Sequence, residues 1–258
     1  MFLKNLKNSI LHKLMLINAR FRLQNRLRFL GIQVSFVPVS SDLNSPYEVI
    51  IPSSTYAPWR ADENFKKIFL VIEPYTLLSI YRAYQLFEIC KQIIAIDGDC
   101  IEVGAYRGGS AKLIAMTLNN LGSSKLLNVY DTFEGVAKAS TEDVFYSGGE
   151  HSSTSLSFVR ALLSDYAPNV NLVQGIFPQS EARNYKISLA HIDVDSYTSA
   201  KESFEFIWPK LEKGGVIIFD DYGDAVASGV TKYVNEIKNT SSSRFIHNLN
   251  GQGIFIKY

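Results

Sequence analysis

Two clusters of carboxylates carry the chemistry this chain is equipped for. His191-Ile192-Asp193-Val194-Asp195 ends one apolar run, and Asp220-Asp221 ends another, Val216-Ile217-Ile218-Phe219. If both runs are strands, alternation puts His191, Asp193 and Asp195 on one side and Ile192 and Val194 on the other. Asp220 and Asp221 would point apart on a continuing strand, but Tyr222-Gly223 supplies a turn that lets both approach one point. Four converging carboxylates repel one another and raise each other's pKa unless a cation sits among them. An all-oxygen donor set favours magnesium, or calcium or manganese, over zinc. His191 is open as a base or a ligand; the role expected of it is that of a buried histidine orienting Asp193. Spacing identifies no partner for His12, His151 or His247.

A second constellation is a glycine loop. Cys100-Ile101-Glu102-Val103 reads as a short strand, followed by Gly104-Ala105-Tyr106-Arg107-Gly108-Gly109 and a helix that Ser110 is placed to cap. A strand, a glycine turn and a helix N-terminus can hold a nucleotide. The spacing is not the G-x-G-x-x-G of a dinucleotide site. Glu102, beside the loop, would repel a pyrophosphate and stabilise a cationic ligand. S-adenosylmethionine has a sulfonium and an ammonium group and no phosphate. Asp131, ending the next predicted strand, is placed to accept hydrogen bonds from both ribose hydroxyls of a cofactor.

The elements that must position these residues alternate from about residue 76. A buried helix is expected over 77–94, with strands at 100–103, 126–130, 171–174, 187–193 and 216–219. Helices are expected after Ser110, at about 155–166, around Ala200–Leu211 and around Val230–Ile237. Strands separated by helices imply right-handed crossovers and a parallel sheet covered on both faces. The ending differs: Phe245–Leu249 and Gly253–Lys257 flank Asn250-Gly251, a signal for an antiparallel hairpin. The expected fold class is therefore α/β, a mostly parallel sheet with helices on both faces and a C-terminal antiparallel hairpin. The polar segment 137–155 is long for a connection and is expected to act as a lid over the acceptor.

Composition sets the outer limits. The chain has 258 residues, 47% hydrophobic and 20% charged, which suits a folded domain and excludes a low-complexity chain. Cys90 and Cys100 cannot make a disulfide framework or a four-thiolate zinc site, and a reducing, cytoplasmic location is expected. The formal net charge of +1 argues against a nucleic-acid partner. It hides an asymmetry: residues 1–41 carry seven basic residues and no acidic one, leaving nineteen basic against twenty-five acidic in the rest. No run reaches the roughly 18–20 apolar residues that span a bilayer. Leu3, Leu6, Ile10, Leu14, Ile17 and Phe21 recur at helical spacing. Such a helix packs on its own domain or on a second subunit of a homo-oligomer, or lies, through residues 1–30, on an anionic membrane surface. A transit peptide is a third reading. Residues 1–60 are read as this arm and a connector, and 61–258 as the functional domain.

Four motifs in order resemble the macrocin O-methyltransferase family. They are Ile101–Ser110, Asp131-Thr132-Phe133-Glu134-Gly135, His191–Asp195 and Gly214–Gly223, and the likeness covers roughly residues 75–258. The resemblance implies a class I methyltransferase sheet, S-adenosylmethionine as donor, magnesium, and a sugar hydroxyl on a small molecule or glycan as acceptor. It implies Asp193, Asp220 and Asp221 as metal ligands and Asp195 as general base, with His191 as the fallback. Glu102, Gly104, Tyr106, Gly108, Ser110, Asp131 and Thr132 would hold the donor, with Gly175 near its adenine side. The chain departs from the family at Val136–Ala139, where a proline is usual, and at Ser196, where leucine is common. The competing readings are an NAD-dependent sugar oxidoreductase and an inactive scaffold in a glycan-biosynthesis complex. Glu102, the glycine spacing and the hairpin oppose the first, and the complete carboxylate set opposes the second.

Overall fold

The computed structural model describes residues 46–47, 54–181, 185–239 and 242–258. The expected helix of the basic arm lies outside them. Within the unit Pro52–Tyr258, helix α1 (Glu63–Ile72) follows a single turn at Pro58–Arg60. Asp62 caps it by accepting the Phe65 N–H at 2.9 Å. This helix precedes the expected start of regular structure. Its signal is Phe65, Ile68 and Ile72, buried at spacings of three and four.

The chain continues through α2 (Ile80–Gln92), β1 (Asp99–Val103), α3 (Gly109–Asn120), β2 (Leu127–Asp131), α4 (Leu156–Leu162) and β3 (Val170–Gln174). Then come β4 (Ile187–Ile192), α5 (Tyr197–Ile207), β5 (Leu211–Asp220), α6 (Ser228–Ile237), β6 (Ser243–Asn248) and β7 (Gln252–Lys257). Three local expectations are corrected. The helix expected through Leu211 ends at Ile207, where Trp208–Lys210 tightens into a 3-10 turn with Pro209, and Leu211 opens β5. Gly108, at φ 81°, is the residue before α3, and Ser110 lies inside its first turn and caps nothing. The helix expected over 155–166 stops at Leu162 and passes into a 3-10 stretch, Ser164–Asn169, where Pro168 has no N–H for a helical bond.

The sheet has seven strands in the order β3-β2-β1-β4-β5-β7-β6. The first five pair in parallel, and β7 runs antiparallel between β5 and β6. The terminal hairpin turns at Gly251, whose φ of 96° suits glycine. The expected fold class is thus the observed one. Strand order reverses between β1 and β4, the position at which open α/β sheets bind ligands beyond their carboxyl ends.

Helices bury both faces. Phe65, Leu86 and Ile114 of α1–α3 pack with Leu127, Leu189 and Ile218 on one face. Phe204 of α5 and Tyr233 of α6 pack with Ile101, Ile217 and Phe219 on the other. Strand alternation then decides where the polar residues go. Glu102, His191 and Asp220 share the parity of Cys100, Leu189 and Ile218, so all three are directed to the α1–α3 face.

Candidate active site

The site is built at the carboxyl ends of the parallel strands. Backbone pairing continues past the strands: Gly104 N–H donates to Tyr130, Asp193 N–H to Val103 and Gly175 N–H to Asp131, at 2.8, 2.8 and 2.9 Å. This draws the glycine loop, the Asp131 turn and the Asp193 strand end around one cavity of about 270 Å³. Gly104, Tyr106, Ser110, Asp131, Thr132 and Gly175 line one side, and Asp193, Asp195, Asp220 and Asp221 line the other. Gly108 is not in the wall; a Cβ there would strike Val159 of α4 at 2.9 Å.

On the glycine-loop side, Asp131 is a clamp. Its Oδ2 accepts the N–H groups of Ala105 and Tyr106 at 2.7 and 2.8 Å, and its Oδ1 that of Phe133 at 2.6 Å. Three of about four acceptor positions are thereby filled, so one, not two, is left for a ribose hydroxyl. The Thr132 hydroxyl is engaged locally, donating to the Gly135 carbonyl at 2.9 Å.

On the carboxylate side, the turn comes one residue earlier than expected. Asp221 itself takes φ 64°, and Asp195 takes φ 61°. Left-handed backbone is tolerated by Asp and is costly for most other residues. It brings the neighbouring Asp220 and Asp221 side chains together on Arg82, whose Nη1 donates to Asp220 Oδ2 and, at 2.8 Å, to Asp221 Oδ1. Gln252, at the start of β7, donates to Asp220 Oδ1 at 2.9 Å. Neither Arg82 nor Gln252 is visible as a site residue in the sequence, because each lies on a different element from its partner.

Glu102 and His191 are register partners on β1 and β4, and both are fully buried. His191 Nδ1 lies 2.9 Å from Glu102 Oε1, and its Nε2 lies 3.8 Å from Asp220 Oδ1. His191 thus pairs with Glu102, lies near Asp220, and does not orient Asp193 through a hydrogen bond. Behind the wall, neither residue lines the cavity. This corrects the expectation that Glu102 faces a cationic ligand, and it leaves His191 poorly placed as a fallback base.

The electrostatics follow from burial and crowding. Burial raises the Asp193 carboxyl well above its usual range, and the charges of Asp220 and Asp221 add to this. Burial and Asp220 push Asp221 up to about 7 against the pull of Arg82. Asp195 is raised by burial, while the Tyr146 hydroxyl pulls it down. Burial would raise Asp220 too, but His191, Arg82 and Gln252 hold it below its ordinary value. Burial would depress His191, yet Asp220 and Glu102 raise it to about 10.

Tyr146 and His151 join this wall from segment 137–155. The segment is anchored at its base on α5. Ser196 and Ser199 donate to the Ala137 carbonyl at 3.0 and 3.1 Å, Asp143 accepts the Tyr197 N–H at 2.8 Å, and Lys138 pairs with Glu202.

The sequence profile of the macrocin O-methyltransferase family (TylF) matches residues 72–257. The chain belongs to this family. Its relatives include the 8-demethyl-8-(2,3-dimethoxy-alpha-L-rhamnosyl)-tetracenomycin-C 4'-O-methyltransferase of Streptomyces olivaceus. The two are 26% identical over 200 residues, 71% of this chain and 76% of that protein. The mycinamicin III 3''-O-methyltransferase of Micromonospora griseorubida is 26% identical over 165 residues, covering 57% of this chain and 65% of that protein. The structure of the O-methyltransferase NovP shares the fold, with a TM-score of 0.64 at 20% identity over 71% of this chain and 82% of that one. The chain is an O-methyltransferase.

The residues of this methyltransferase fit a hard divalent cation. His191, Asp193 and Asp220 present ligand atoms within 4.8 Å of one another. His191 Nδ1 is engaged with Glu102, and the remaining donors are carboxylate oxygens, so oxygen donors dominate the set. Glu102, Asp193, Asp195, Asp220 and Asp221 outnumber Arg82 and His191, and the negative charge of the neighbouring aspartates adds to burial in raising Asp193 and Asp221. An under-neutralised, oxygen-rich centre suits magnesium.

Proposed function

We propose that this enzyme moves the methyl group of S-adenosylmethionine to a sugar hydroxyl of a small glycosylated molecule or glycan, with magnesium at the carboxylate centre. The carrying observation is that one cavity has two unlike walls, a glycine loop clamped by Asp131 and a cluster of four aspartates. The named substrates of the relatives, a rhamnosyl-tetracenomycin and a mycinamicin, support a sugar acceptor. A cytoplasmic location is consistent with two free, buried cysteines. No helix among the described residues is long and apolar enough to cross a membrane.

Asp193, Asp220 and Asp221 would hold the metal, which when bound supplies a Lewis acid that lowers the pKa of an acceptor hydroxyl. The glycine loop, held in shape by Asp131, lines the wall that takes the donor beside the carboxylates. Asp195, on the cavity wall, accepts the hydroxyl proton as the oxygen takes the methyl and the carbon–sulfur bond breaks. Tyr146 lines the same wall as Asp195. Glu102 acts at one remove, by holding His191 against Asp220.

Calorimetric titration with S-adenosylhomocysteine and, separately, with NAD tests the donor. Micromolar binding of the homocysteine compound alone is expected. Asp131→Ala should weaken it by about tenfold or more, the equivalent of ~1.4 kcal/mol, since the loop clamp and an acceptor are lost together. Binding of NAD alone would replace the reading with an oxidoreductase one. For Asp195→Asn, turnover should fall by about 10²–10⁴-fold with donor affinity unchanged, the usual range for a proton-transfer group. An unaltered rate would move the base role to another cavity-wall residue, of which His151 is the nearest in chemistry.

A further inference from the structure

Arg82 is placed against the usual rules. It lies in the first turn of α2, after the Ser79 cap, where the exposed N–H groups carry partial positive charge and favour an acidic residue. No acidic residue occupies that turn. Its side chain is only 18% exposed, although an arginine on a helix start is free to reach solvent. What holds it is the carboxylate centre: a single nitrogen, Nη1, meets both Asp220 Oδ2 and Asp221 Oδ1.

The pattern of lone pairs makes this contact informative. Asp220 Oδ1 is already taken by Gln252 and faces the His191 ring. Oδ2 is its oxygen on the Arg82 side, and Asp221 offers Oδ1 to the same nitrogen. A divalent ion shared by Asp220 and Asp221 would have to bind beside the Arg82 guanidinium, whose positive charge opposes it.

We propose that Arg82 is the enzyme's resident counter-cation, holding Asp220 and Asp221 in place in the metal-free protein and giving them up when a divalent ion binds. The proposal rests on the metal reading of the site. It makes Arg82 a positioning residue that keeps two adjacent like charges converged and sets the threshold for metal loading. Its guanidinium, released from one or both carboxylates, remains at the cavity wall, where it borders the acceptor space.

Manganese is the probe. Its dissociation constant, measured by calorimetry on the full chain, should fall by about tenfold or more in Arg82→Gln, because a positive charge within a few ångströms of the ion is removed. Thermal melting gives a second readout: Arg82→Gln should melt below wild type in excess chelator and close the gap in saturating manganese. A third measurement needs no variant. In the wild type, slow rotation of the Arg82 guanidinium, seen by nitrogen NMR in chelator, should be lost on saturation with magnesium. Manganese binding to Arg82→Gln that is equal to or weaker than wild type would overturn the proposal. So would an Arg82 signal untouched by magnesium. Failure of wild type and variant alike to bind manganese would remove the metal reading itself, and this inference with it.

Discussion

Asp221→Asn is expected to lower turnover by about 10²–10³-fold, the range for removing one preorganised electrostatic group, while S-adenosylhomocysteine binding stays near wild type. The donor wall and the carboxylate wall share a cavity but no side-chain hydrogen bond connects Asp221 to Asp131 or the glycine loop among the described residues. Removing one negative charge weakens the hold on a divalent ion and leaves the donor clamp intact. Asp221 is the cleaner of the two adjacent probes. Asp220 accepts from Gln252 on one oxygen and from Arg82 on the other, so an Asn amide there would set its own NH₂ against a donor in either orientation. Asp220→Asn should therefore lose turnover by a similar factor and also lose stability. Near-wild-type activity of either variant in excess chelator would show that the metal reading is wrong.

Gly104→Ala should destabilise the fold by roughly 2–4 kcal/mol, combining overpacking with a left-handed backbone that alanine adopts poorly. A Cβ at this position would stand 1.7 Å from the Asp193 carbonyl oxygen, and φ is 87°. The contact is backbone to side chain between the ends of β1 and β4, so it cannot be relieved by a rotamer change. Relief requires the glycine loop to move away from Asp193, which separates the two walls of the site. Gly122→Ala is the matching control: φ is 65°, with nothing within 4 Å of the added carbon. It should cost only about 1 kcal/mol, the conformational part alone. Denaturant midpoints of the two variants, with turnover of Gly104→Ala alongside, make the comparison. Equal midpoints would mean that the close approach at Gly104 carries no energetic weight.

Much of the architecture is legible along the chain because it is encoded in local periodicity. The short, mostly apolar runs Val216–Phe219 and Ile187–Ile192 identify strands buried on both faces, and the carboxylates at their ends follow from sequence order alone. Asn250-Gly251 announces the hairpin, since a turn needs residues that accept its backbone angles. Helix α1 carries the same kind of signal in Phe65, Ile68 and Ile72, and its omission from the expected elements is a failure to extend the pattern past Pro58.

Residue type and strand-end position are thus enough to nominate Asp193, Asp195, Asp220, Asp221 and Asp131 for the site. Which lone pairs those carboxylates have left is another matter. Arg82 reaches Asp220 across 138 residues of sequence, and Gln252 reaches it from the opposite strand neighbour. Glu102 meets a histidine that lies beside it only because β1 pairs with β4. Tyr146 and His151 reach the cavity from a loop without periodicity, held on the start of α5 by Ser196, Ser199 and Asp143. Hydrogen bonds and charge pairs depend on distances of a few ångströms between elements whose adjacency is a property of the sheet order. The chain therefore declares the reactive groups, and the packing of β1, β4, β5, β7 and α2 around them decides which face the cavity, which are neutralised and which are left to a ligand.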